Sequence, residues 1–130
     1  MSMRALLDIR GEDVHGAGYY GAPRGSREHK GIDFACYPGT TILPIKAGKV
    51  TKLGYPYADK LEFRYVQITD KAGYRWRYFY IQPSVVMNQV VTVHTELGKV
   101  QELPYEGITQ HCHLEIKNPD GEFVDPTTML

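Results

Sequence analysis

Two short segments hold the side chains best suited to chemistry: His29–Lys30–Gly31–Ile32–Asp33 near the start of the chain and His111–Cys112–His113 near its end. Side chains on a strand alternate faces, so His111 and His113 point the same way, about 7 Å apart along the strand. Both could lean onto one ion. Equally, one could bind while the other stands over the open position and moves protons. Cys112 points to the opposite face and is not expected as a ligand. His29 and Asp33 lie four positions apart, and Gly31 between them lets the backbone turn closely as the chain leaves a loop for a strand. Two imidazole nitrogens and one carboxylate oxygen suit zinc better than calcium or magnesium. Three protein ligands would leave the fourth zinc position open to water, the arrangement of a catalytic centre. A single histidine is more often a surface or hydrogen-bonded residue, and His15 and His94, which have no such companions, are read that way.

The elements that must position these residues read as short strands. Thirteen glycines and eight prolines punctuate β-branched and aromatic runs. Strands are predicted at Ile32–Cys36, Gly48–Leu53, Glu62–Thr69, Tyr74–Ile81, Val90–Val93, Gly98–Glu102 and Gln110–Ile116, with Asp70–Lys71–Ala72–Gly73 joining two of them as a hairpin loop. In the hairpin's second strand Tyr74, Trp76, Tyr78 and Tyr80 fall on one face and Arg75 and Arg77 on the other. Only Ser84–Asn88 and Pro126–Met129 suggest helical turns. The segment Gly11–Arg27, rich in glycine, tyrosine and charge, is expected to form loops at one end of the sheet. No helical periodicity persists and there is no repeat or linker, so the expectation is one mostly antiparallel all-β domain over residues 1–130, with 1–28 as a loop-rich segment within it.

Composition narrows the function classes. The chain has 130 residues, 42% of them hydrophobic and 23% charged, which fits one ordinary core rather than a disordered segment. Fifteen basic residues balance fifteen acidic ones, so no global field recruits nucleic acid or anionic lipid. No apolar run reaches the roughly 18 residues of a membrane span, and Asp8 interrupts what would be a secretory apolar stretch. The expectation is a product made in the cytoplasm without a signal peptide. Cys36 and Cys112 are then read as reduced, buried thiols, with a disulfide open only if their strands are neighbours.

At these residues the chain resembles the lysostaphin-type zinc endopeptidases, the LytM family, which cleave peptide cross-bridges of bacterial peptidoglycan. His29–Lys30–Gly31–Ile32–Asp33–Phe34 is similar to the family's His-x-Gly-Ile-Asp strand start. Pro38–Gly39–Thr40, Ala47–Gly48–Lys49–Val50, His111–Cys112–His113–Leu114–Glu115–Ile116 and Val124–Asp125–Pro126 follow in the family's order, so the resemblance runs from about Arg24 to Pro126. It implies a sandwich-like all-β domain with long loops, of the duplicated-hybrid-motif kind. It also implies that His29, Asp33 and His113 hold zinc and that His111 polarises or deprotonates water. The substrate would be bacterial peptidoglycan peptides, with neither nucleic acid nor membrane as partner. Glu115 is one candidate acceptor for a ligand imidazole, although a solvent-facing strand residue is the plainer reading. Arg24 and Arg27, just ahead of the metal motif, are candidates for binding a substrate carboxylate.

One position departs from the peptidase pattern. Tyr80 stands where the family carries another catalytic histidine, and a phenol there can donate to an oxyanion but is a poor general base at neutral pH. Phe79–Tyr80–Ile81–Gln82–Pro83, with His15–Gly16, Arg24, Arg27 and Gly107–Ile108, is similar to the leukocyte-derived chemotaxin branch of the same fold, a zinc-binding branch thought not to cleave peptides. Cys36 falls on one of that branch's half-cystines, and the partner position is Trp76 here. The leading expectation is therefore a zinc metalloendopeptidase acting on the bacterial cell wall, such as a phage lysin or virion-associated enzyme, with His111 and Tyr80 catalytic. The alternative is a zinc-bearing, catalytically silent module that binds peptidoglycan or a partner. A phosphocarrier domain of similar architecture would need two facing histidines and no aspartate ligand.

Overall fold

Alternation of apolar and polar residues along β-branched and aromatic runs produces strands throughout, as expected. The computed structural model describes residues 30–130 and, ahead of them, the backbone of three short strands, β1 (Asp8–Ile9), β2 (Pro23–Arg24) and β3 (Arg27–Glu28). The rest of Gly11–Arg27, and His15 with it, lie outside the described residues. The chain continues through β4 (Ile32–Ala35), β5 (Thr41–Ile42), β6 (Gly48–Gly54), β7 (Tyr65–Thr69), β8 (Arg75–Phe79), β9 (Ile81–Pro83), β10 (Val90–Val91), β11 (Gly98–Val100), β12 (His111–Lys117) and β13 (Phe123–Val124). The predicted turn at Pro126 is a 3-10 turn over Pro126–Thr128, capped by the Asp125 carboxylate. The segment Ser84–Asn88 is not helical. It is a loop that turns at Asn88, whose backbone is left-handed at φ 69°.

Among the described residues an eight-stranded antiparallel sheet runs in the order β1-β4-β12-β8-β7-β6-β10, with β13 beside β12, and a smaller sheet runs β5-β11-β9. One apolar cluster draws on both sheets: Ile32, Phe34, Val66, Ile68, Trp76, Tyr78, Leu114 and Ile116 from the large sheet pack with Ile42, Ile81 and Val100 from the small one. Cys112, in β12, lies in this cluster, and Cys36, directly after the neighbouring strand β4, packs against it; both are free thiols. Burial pushes the Cys36 thiol up to about 11 and raises Cys112 as well, so neither is a ready nucleophile at neutral pH.

The hairpin loop between β7 and β8 lies where the sequence placed it. Asp70 receives the backbone N–H groups of Ala72 and Tyr74 on one carboxylate oxygen and the indole N–H of Trp76, at 2.9 Å, on the other. Gly73 closes the turn at φ +90°, a conformation that a side chain would disfavour. The register this hairpin sets pairs Trp76 with Ile68 and Tyr78 with Val66 on the core face, and Arg77 with Gln67 and Phe79 with Tyr65 on the opposite face.

Candidate metal centre

β4 and β12 run side by side, and their register places His113 directly opposite Asp33. Ile32, Phe34, Cys112 and Leu114 fill the core, so Asp33, His111, His113 and Glu115 must project from the other face of the sheet. His113 Nδ1 lies 2.6 Å from Asp33 Oδ1, and His111 Nε2 lies 3.5 Å from Asp33 Oδ2. All three residues are buried, Asp33 at 1% exposure. His111 Nδ1 is 2.6 Å from the carbonyl oxygen of Thr109, which can only accept, so Nδ1 carries a proton and Nε2 is the ring nitrogen that faces Asp33.

His113 Nε2 is 3.0 Å from Glu115 Oε1. Glu115 is therefore not the solvent-facing residue expected from sequence: its side chain, 17% exposed, is drawn against the imidazole two positions back on the same face. Burial alone would strip the proton from His113, but hydrogen bonds to Asp33 and Glu115 outweigh it and hold the group raised to about 9. His113 Nδ1 and Asp33 Oδ1 thus lie within hydrogen-bond distance at the point where both offer donor atoms. The packing leaves no slack. A Cβ on Gly31 would collide with the carbonyl of Leu114 and come within 2.9 Å of the His113 ring, so this glycine serves close approach to β12 and His113.

Tyr80 is not on the face of Trp76 and Tyr78, as strict alternation predicted. It follows β8 with its backbone left-handed at φ 67°, its N–H donating to Arg64 and its carbonyl accepting from Gln101. Such a conformation costs about 1–3 kcal/mol for a side chain of this size. Its effect is to turn Tyr80 onto the face of Phe79 and His113. The Tyr80 ring meets His111 edge to face at 5.6 Å between centroids, and its hydroxyl is 2.7 Å from that of Tyr57. Phe79 meets the His113 ring at 5.1 Å. Burial, with Tyr57 and the carboxylates of Asp33 and Glu115 nearby, raises the Tyr80 phenol far above its ordinary range and keeps it protonated. Sequence reasoning missed an aromatic rim in which Tyr57 and Phe63 meet Tyr80 and Tyr105 packs behind Phe63. Tyr57 comes from a loop with no periodicity to reveal it, and Phe63, expected inside a strand over Glu62–Thr69, lies in the loop ahead of β7, which begins at Tyr65.

Among the described residues Asp33, His111, His113 and Tyr80 come together. His29 lies outside them, as do the side chains of Arg24 and Arg27, whose backbones pair across β2 and β3. His94 lies in an exposed loop, as expected.

The all-β fold, with Asp33 and the His111–His113 pair meeting on adjacent strands, is the setting for the comparison with known families. The family model "Peptidase family M23" matches residues 27–126, and the chain belongs to this family. Over 125 residues it is 30% identical to leukocyte cell-derived chemotaxin-2 of Bos taurus, covering 95% of this chain and 80% of that one. Among solved structures it is similar to the antimicrobial peptidase lysostaphin from Staphylococcus simulans, with a TM-score of 0.78 at 20% identity over 99% of this chain and 52% of that one. It is also similar to a zinc containing peptidase from Vibrio cholerae, with a TM-score of 0.66 at 23% identity over 95% of this chain and 37% of that one. The chain thus spans about half of the lysostaphin chain and less of the Vibrio peptidase.

Proposed function

We propose that this domain is a zinc-dependent endopeptidase that hydrolyses peptide cross-links of bacterial peptidoglycan. The observation that carries this reading is the constellation on one sheet face: a buried carboxylate, Asp33, between two imidazoles, one of which has its tautomer fixed by Thr109. Asp33 Oδ1 and His113 Nδ1 are the donor atoms for zinc, with His29 as the third ligand. The donor set is of the kind zinc prefers, and Glu115 stands ready to accept the remaining ring N–H of His113. The chemistry a bound zinc supplies is polarisation of the scissile carbonyl and acidification of water.

His111 is the general base in this reading. Its Nε2 takes a proton from the attacking water, the Asp33 carboxylate steadies the resulting imidazolium, and the same proton then passes to the leaving amine. Of the Tyr57–Tyr80 hydroxyl pair, one donates to the other and the second keeps a proton to offer the oxyanion. Arg24 and Arg27 meet substrate carboxylates ahead of the metal motif. The phosphocarrier alternative has no support, because a carboxylate lies between the two imidazoles it requires to face each other.

A catalytically silent zinc module remains a second reading, favoured by two observations: the Tyr80 hydroxyl is already engaged by Tyr57, and a chemotaxin is among the relatives. Release of dye from labelled, purified cell walls separates the two. The peptidase reading expects release by the wild type and at least a hundredfold less from His111→Ala, the scale of losing a general base. Zinc-loaded protein that releases nothing from walls of several cross-link chemistries would favour the silent module.

A further inference from the structure

Arg77 projects from the metal-bearing face of the large sheet. In β8 it sits two residues before Phe79, whose ring touches His113, and it lies directly across from Glu115 on one side and Gln67 on the other. Its Nε donates to Gln67 Oε1 at 2.7 Å. Gln67, 7% exposed, is itself fixed: its amide nitrogen donates to the Thr51 hydroxyl at 2.9 Å, and that hydroxyl is 2.8 Å from the hydroxyl of Thr69. The guanidinium also lies over the Tyr65 ring, 5.5 Å from its centroid, and Tyr65 packs on Phe79 at 4.8 Å. A long, flexible cation is therefore held at two points, the Gln67 amide oxygen and the Tyr65 ring, on the same face as the candidate ligands. Among the described residues no carboxylate stands within ion-pair distance of it, since Glu115 is occupied by His113.

A half-buried arginine oriented through its Nε keeps its terminal N–H groups in the fork that matches a carboxylate with two parallel hydrogen bonds. We infer that Arg77 is a substrate-binding residue that accepts a carboxylate of the peptide, and that it makes the site selective for acidic over neutral peptides. The inference rests on the peptidase reading for the location of the scissile bond. Two residues of strand separate Arg77 from Phe79, a distance of about 7 Å. An extended peptide spans about 3.3–3.6 Å per residue, so the carboxylate would sit about two residues from the bond at the metal. Such a carboxylate could be a free C-terminus or an acidic side chain, and the Arg77 fork would hold either.

Binding to the zinc-loaded full chain tests the inference without requiring turnover. One pair of probes is Ala-Ala-Ala-Ala as the free acid and as the C-terminal amide. A second pair is Ala-Ala-Glu-Ala amide and Ala-Ala-Gln-Ala amide. We expect one acidic probe to bind about tenfold more tightly than its neutral partner, the scale of a charge-assisted pair at a half-buried site. The pair that shows the preference identifies the source of the carboxylate. Arg77→Met keeps the stem over Tyr65 and should erase the preference while zinc content stays the same. Arg77→Lys should restore only part of it, and carries the comparison alone if Arg77→Met does not fold. Equal binding within both wild-type pairs, or a preference that survives Arg77→Met, would overturn the inference. Because binding is read separately from wall cleavage, a carboxylate preference in a protein that cleaves nothing would count against the peptidase reading and leave the subsite standing.

Discussion

Asp33 is the residue around which the site's electrostatics turn, because one buried carboxylate meets both imidazoles. The two-residue alternation of strands put His111 and His113 on one face, but their meeting with Asp33 depends on the pairing of β4 with β12, which alternation alone does not reveal. Glu115 was not readable in the same way: residue type gives no sign of whether a strand glutamate meets water or a ring two positions back. Its hydrogen bond to His113 predicts that Glu115→Gln lowers zinc affinity about 10–100-fold, as loss of a ligand's outer partner typically does, which competition with a chromogenic chelator would measure. Unchanged affinity would return Glu115 to the role of a solvent-facing residue. Tyr80 was misplaced because no rule of residue type puts a tyrosine in the left-handed region, and that φ alone moves it from the core face to the His111 face. Tyr80→Phe keeps the ring contacts and removes the hydroxyl. The expected outcome is a loss of turnover of about 10²–10³-fold with zinc content unchanged, the usual effect of deleting an oxyanion donor. Equal turnover would show that the ring only packs.

At the scale of elements, the site depends on β8 holding register between β7 and β12. The hairpin loop at Asp70 sets that register and was legible because Asp, Gly and a four-residue spacing favour such turns. Two of the two-residue strands, Thr41–Ile42 and Phe123–Val124, were not legible, since so short a run carries no alternation, whereas Val90–Val91 was legible from its β-branched run. Ser84–Asn88 looked helical only because its turn at Asn88 leaves no signature in hydrophobic spacing. Asp70→Ala should destabilise the fold by about 2–3 kcal/mol, since it strands the buried Trp76 indole N–H and frees two turn amides. Denaturant unfolding measures this directly. A loss under about 0.5 kcal/mol, the range of ordinary surface changes, would mean that the loop does not set the register.

At the scale of the whole molecule, two antiparallel sheets share one apolar cluster, and the candidate centre lies on the opposite face of the larger sheet. The all-β class, the antiparallel pairing and the family were legible in the sequence, whereas the aromatic rim and the Gln67–Arg77 chain were not, because they depend on contacts between segments far apart in sequence. A metal shared by β4 and β12 would bind only the folded chain, so removing it with a chelator should lower the melting temperature. At zinc about a hundredfold above its dissociation constant the linked stabilisation is about 2.7 kcal/mol, and an unchanged melting temperature would speak against a resident ion. The most direct measurement of the central claim is zinc content per chain in the wild type, Asp33→Ala, His113→Ala and His111→Ala, purified alike and checked for folding. The account predicts one zinc per chain in the wild type and in His111→Ala, with little or none in the other two. Loss of zinc from His111→Ala, or its retention by Asp33→Ala and His113→Ala, would contradict the assignment of ligands and base.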